Sequence, residues 1–217
     1  MLPTTDDDFL RKVKAALDER ELTLANLCVD GAHLWEKDPD LREQNHQNAL
    51  AALKAAEVLG ARTVRIDAGG REETWDDGQF DFVVERYREY VKRAEDNGYR
   101  MGPENHWGPE RVPANQRQLQ EAVDSPAFGL LLHLGNWRGA DAERGDQLAA
   151  QWAMHTHIPY AEAMGDLEAR LAPLRDAGYQ GYWGIEHHSA RDEYAEVGVQ
   201  VARVRQVLDR WRSDGVA

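Results

Sequence analysis

The residues best suited to chemistry in this 217-residue chain are its histidines and a pair of glutamates. Six of the eight histidines, His106, His133, His155, His157, His187 and His188, fall at or just past the ends of short apolar runs. Glu104 and Glu186 fall in the same places, so four successive runs end in Glu-Asn-His, His-Leu-Gly-Asn, His-Thr-His and Glu-His-His. A lone histidine at such a position is most often a hydrogen-bonded loop residue. Four runs ending in the same chemistry point instead to one shared site. Two carboxylates and two imidazoles make a mixed oxygen and nitrogen donor set for Mn²⁺, Co²⁺, Fe²⁺, Zn²⁺ or Mg²⁺. A cation held this way polarises the hydroxyl and carbonyl oxygens of a sugar and stabilises an enediolate. A carboxylate on each side of that carbon moves the proton. That is the machinery of ketose–aldose isomerisation or epimerisation.

The elements that must position these residues follow from periodicity. Helical spacing of apolar residues covers 7–20, 39–59, 79–97, 113–124, 141–151, 163–177 and 192–212. Between them, short apolar runs read as strands at 22–30, 61–70, 99–106, 128–137, 152–158 and 181–188. Six strand–helix units follow one another without a linker, which predicts one domain over 1–217 with a parallel sheet covered by helices. No Gly-x-Gly-x-x-Gly follows the first strand and no Walker motif occurs, so nothing points to a nucleotide. A barrel is the better expectation. In a βα barrel the C-terminal strand ends form the mouth where catalytic groups gather, and the six histidines lie at those ends.

Composition narrows the function further. Charged residues make up 30% and hydrophobics 42%, a globular balance. Lys and Arg number 26 against 39 Asp and Glu, giving a formal charge of −13. A field of that sign repels nucleic-acid phosphates and anionic lipid, so neither is expected as a partner. The single cysteine, Cys28, excludes an internal disulfide and a Cys-rich zinc site. The acidic start MLPTTDDDFL is unlike a signal peptide, and a soluble cytoplasmic protein is expected.

Five stretches carry a resemblance to a known family: LKAAEVLGARTVRIDAGG (53–70), GYRMGPENHWG (98–108), GLLLHLGNW (129–137), AMHTHI (153–158) and DAGYQGYWGIEHH (176–188). The chain resembles the xylose isomerase-like TIM barrel superfamily, the sugar phosphate isomerase/epimerase group, over most of positions 40–210. The resemblance implies a TIM-type (β/α) barrel, of which six units are visible and the first two are missing. It implies one divalent metal held by a Glu, an Asp, a His and a second Glu. By position these are Glu104, His133 in place of the Asp, a histidine of His-Thr-His, and Glu186. His155 is favoured over His157, because family members often carry a lysine at the place of His157. Histidine in place of aspartate shifts the expected metal from Mg²⁺ toward Mn²⁺, Co²⁺, Fe²⁺ or Zn²⁺.

The resemblance also implies Glu104 and Glu186 as the acid–base pair. His106, His157, Asn136, Trp107 and His188 are the expected contacts to a small sugar or keto-polyol substrate. A lyase or dehydratase acting on a keto-sugar or keto-glycoside would need the same residues, and a degenerate barrel that only binds is the non-enzymatic alternative. Arg65 and Asp67 alternate on one strand face and read as an internal ion pair. A sheet edge left open by absent units would favour a homo-oligomer.

Overall fold

Asp38 and Pro39 start one of the two longest helices by simple chemistry. The Asp38 carboxylate accepts the N–H of Asp40 at 2.9 Å, and Pro39 has no N–H to leave unsatisfied. The helix runs Pro39–Leu59 (α2) and ends at Gly60, whose φ of 71° suits a residue without a Cβ. The same device at Gly98 closes Gln79–Asn97 (α3). The computed structural model describes residues 2–187 and 192–215.

The remaining helices are Asp7–Glu19 (α1), Pro113–Val123 (α4), Gly145–Ala149 (α5), Tyr160–Met164 (α6), Leu167–Asp176 (α7) and Glu193–Ser213 (α8). The strands are Asn26–Cys28 (β1), Thr63–Arg65 (β2), Arg100–Gly102 (β3), Leu130–His133 (β4), Ala153–Pro159 (β5) and Ile185–Glu186 (β6). They pair in parallel in chain order, β1-β2-β3 and β4-β5-β6. Parallel bridges Met101↔Phe128 and Glu104↔Leu131 carry the pairing from β3 to β4. The expected alternation of parallel strands and covering helices is present.

Differences from the sequence expectations have local causes. Among the described residues the run at 181–188 contributes only two paired residues, and just before them Gly184 lies so close to β5 that a Cβ would collide with the Thr156 backbone oxygen. Residues 141–151 break into 3₁₀ turns around α5, and 163–177 divides at Gly165 into α6 and α7. β5 matches its run in length, while β1 to β4 are shorter than theirs; after β2 and β3 the run continues into loops, 66–68 and 103–105, that are as buried as the strands.

Packing separates the two faces of the strands. On β4, Leu130, Leu131 and Leu132 are all fully buried, as expected for a strand covered on both sides. Leu130 and Leu132 join Leu167, Leu171, Val204 and Trp211 under the helices. Strand alternation then leaves Leu131 and His133 on the inner face. A second cluster, around Val64, Ile66, Tyr87, Met101 and Phe128, occupies the first half of the chain. Each fully buried side chain of this size contributes about 1.5–3 kcal/mol, so both clusters fix the strand ends firmly.

Candidate metal centre

Glu104 stands just past β3 on a backbone that is itself held in place. The Asp67 carboxylate accepts the Glu104 N–H at 2.9 Å, and Arg65 donates to the other Asp67 oxygen at 2.5 Å. Asp67 is fully buried, so this internal ion pair anchors the site rather than facing substrate. Arg65 Nε also lies 3.5 Å from Glu104 Oε2. The Glu104 Oε1 oxygen meets three imidazoles: Nδ1 of His133 and of His157 at 2.9 Å each, and Nδ1 of His106 at 3.2 Å. Glu186, at the end of β6, completes the group, 3.4 Å from His133 and 3.5 Å from His157.

Asn105 fixes β4 against this loop. Its amide donates to the His133 carbonyl at 2.8 Å, and its oxygen accepts the His133 N–H at 2.7 Å. Asn136 continues the tie by donating to the Asn105 carbonyl and accepting from Arg111, both at 2.8 Å. Residue type and spacing single out neither Asn105 nor Arg111. Their position inside the Glu-Asn-His and following turn was the only available signal.

Electrostatics follow from this geometry. Burial alone would raise the Glu104 pKa, but hydrogen bonds from His106, His133 and His157 outweigh it and hold the carboxyl well below its ordinary range. Burial opposes a proton on His157, yet bonds to Cys28 and Glu104 and the charge of Glu186 push its pKa up to about 10. The hydrogen bond to Glu104 raises His106. His155 behaves oppositely: burial, helped by His157, lowers it to about 4.

The structure brings together Glu104, His133, His157 and Glu186, with one potential ligand atom from each lying within 4.8 Å of the others. The expected His155 is not in this group. It lies two residues earlier on β5, nine-tenths buried, with Nδ1 unpartnered among the described residues and its ring in the space left by Gly184. His157, expected on substrate, takes its place. Ligands about 2.1 Å from a shared ion lie within about 4.2 Å of one another, so small side-chain adjustments suffice. The donors themselves, two carboxylates and two imidazoles, are metal-ligand chemistry, and the set fits a divalent cation.

A cavity of about 1610 Å³ opens onto this cluster. His133 and Glu186 reach its wall together with His106, Trp107, Asn136 and Arg111, while Glu104 and His157 lie behind them. Trp107 is 48% exposed there and packs beside the His106 ring at 4.7 Å. His187 also lines the cavity, stacked on Tyr160 and 2.7 Å from Glu196. His33 lines the cavity as well. His188, an expected substrate contact, lies outside the described residues.

Comparison with known proteins places the chain in a wider group. The profile of the xylose isomerase-like TIM barrel family matches residues 1–210. Among solved structures, 3-keto-D-glucoside 4-epimerase YcjR from E. coli superposes with a TM-score of 0.76 at 17% identity, covering 92% of this chain and 85% of that one. A xylose isomerase-like TIM barrel protein from Mycobacterium smegmatis, in complex with magnesium, gives 0.74 at 17%, covering 93% and 78%. The probable 3-DHS dehydratase AsbF from Bacillus anthracis gives 0.70 at 14%, covering 94% and 82%. At these identities the likeness concerns the fold. No helix among the described residues is long and apolar enough to cross a membrane.

Proposed function

The chain belongs to the xylose isomerase-like TIM barrel family, and on that premise we propose that it is a divalent-metal-dependent isomerase or epimerase of a small sugar or keto-polyol. The observation that carries the reading is the convergence of Glu104, His133, His157 and Glu186 beside a cavity of about 1610 Å³. These four residues would hold one divalent ion. With two imidazoles in the set, Mn²⁺, Co²⁺, Fe²⁺ or Zn²⁺ suits the site better than Mg²⁺. Such an ion supplies polarisation of adjacent hydroxyl and carbonyl oxygens and stabilises the negative charge that develops on them.

The chain's own groups divide the remaining work. Glu186 reaches the cavity with its side chain 28% exposed, and in this reading it would take a proton from the carbon beside a bound carbonyl. Glu104 is 2% exposed and reaches the cavity through His106, whose Nδ1 is 3.2 Å away and whose ring lines the wall. The ionised Glu104 carboxylate therefore favours a proton on that imidazole, and His106 would return it to the substrate. Asn136 and Trp107 line the same wall and would orient the substrate's hydroxyls and its apolar face.

Incubation with a panel of ketoses and keto-glycosides in D₂O, with Mn²⁺ added, tests this reading. Deuterium beside the carbonyl and an epimeric or isomeric product are expected, with both reduced at least ~100-fold by Glu186→Gln. An elimination product would move the reaction to the lyase class. Metal binding without exchange on any sugar would leave a barrel that binds and does not turn over.

A further inference from the structure

Glu110 belongs neither to the metal cluster nor to the cavity wall, yet it is completely buried. Its Oε1 accepts the Ala68 N–H at 2.6 Å, while Oε2 is enclosed with no hydrogen-bond partner among the described residues. The Tyr87 hydroxyl lies 3.3 Å from Oε1, but its one proton serves the Ile66 carbonyl at 2.7 Å. No Lys, Arg or His forms an ion pair with Glu110 among the described residues. The groups facing it include the buried Asp67 carboxyl, whose own partner Arg65 is shared with Asp30 and Glu104. An ionised carboxylate with a bare oxygen is strongly disfavoured in such a place, whereas a neutral acid is tolerated.

The position of Glu110 gives this carboxyl a task. It sits on the 3₁₀ turn Gly108–Arg111, and its backbone carbonyl accepts from Gln116 Nε2 at 3.1 Å. Ala68, its partner, lies in the buried loop that follows β2. Nearby, Gly108 lies so close to the Gly70 backbone that a Cβ would come within 2.7 Å of the Gly70 oxygen. The 104–111 segment is thus clamped to the loop after β2 at two points.

We propose that Glu110 is a positioning residue held as an uncharged carboxylic acid, fixing the segment that carries Glu104, His106, Trp107 and Arg111. This deepens the metal-centre reading and rests on it. Burial, reinforced by the charge of Asp67, pushes the Glu110 carboxyl well above its ordinary range, in agreement with the hydrogen-bond count.

The test compares Glu110→Gln and Glu110→Ala in the full chain by Mn²⁺ titration calorimetry, with far-ultraviolet circular dichroism to monitor the fold. The isosteric, uncharged Gln variant keeps Mn²⁺ affinity within about threefold, while the Ala variant binds about tenfold more weakly or worse. An infrared difference spectrum, parent minus Gln variant at neutral pH, shows the carbonyl stretch of an un-ionised carboxylic acid. Unchanged affinity in the Ala variant, a loss in Gln as large as in Ala, or a carboxylate band would overturn the proposal. Should the Ala variant fail to fold, the Gln variant and the infrared band still decide. Absence of Mn²⁺ binding by the parent would overturn the metal-centre reading and the positioning role with it, leaving the infrared band to report the proton alone.

Discussion

His155 and His157 share a strand face and differ in everything that matters for a ligand. His157 is within 2.9 Å of Glu104, whereas His155 is sealed beneath it and kept neutral by burial. Replacing His157 by Ala is expected to weaken Mn²⁺ or Zn²⁺ binding by well over tenfold, because a direct ligand matters more than its outer partners. His155→Ala should leave metal affinity within a few-fold and instead lower stability by about 2 kcal/mol or more, the cost of a cavity in the core. Calorimetric metal titration and urea denaturation of both variants separate the two roles. The sequence showed both histidines but not which one faces Glu104, since two residues on one strand face differ only in depth. Glu110 makes a second prediction at this scale. Its folded pKa is raised, so between the ordinary carboxylate value and the raised one the native state holds a proton that the unfolded chain has released. Stability contributed by this group is complete below the ordinary value and falls as pH rises through that window. Urea midpoints from pH 5 to 9 should therefore decline more steeply for the parent than for Glu110→Gln; parallel lines would contradict it.

The long helices were legible because caps and periodicity reinforce each other, whereas 141–151 and 163–177 break into shorter turns. Asp38-Pro39 and Gly60 mark α2, and Gly98 ends α3 where the sequence predicts. Strand extents were less legible, because buried loops such as 66–68 and 103–105 are as apolar or as tightly packed as the ladders they leave. Those loops are where the site is built. Asn105 bridges the loop after β3 to β4 through both its amide oxygen and its amide nitrogen, a role that no pattern of spacing announces. Asn105→Ala removes both bonds and frees the His133 backbone. Metal affinity should drop by about 10- to 100-fold, as for other groups that orient ligands, while α-helical content stays unchanged. An affinity equal to the parent's would show that β4 is held well enough by its ladder with β5.

Across the whole molecule, alternating strands and helices foretold the parallel sheet and its covering layers, and the family match agrees with that reading. The candidate cluster was legible in part, because its residues are rare types gathered at strand ends: Glu104, His133 and Glu186 converge as expected, with His157 beside them in place of His155. Geometry added the order within the group: Glu186 and His133 toward the cavity, Glu104 and His157 behind. A net charge of −13 favours the approach of cations to that opening over phosphates. Everything proposed for the reaction depends on a cation being held there. The most direct measurement is the metal content, by plasma mass spectrometry, of the parent chain and of Glu186→Ala after incubation with Mn²⁺ or Zn²⁺ and removal of free metal. Close to one equivalent in the parent and a large loss in the variant is the predicted result. No retained metal in the parent, or equal retention in both, would contradict the account.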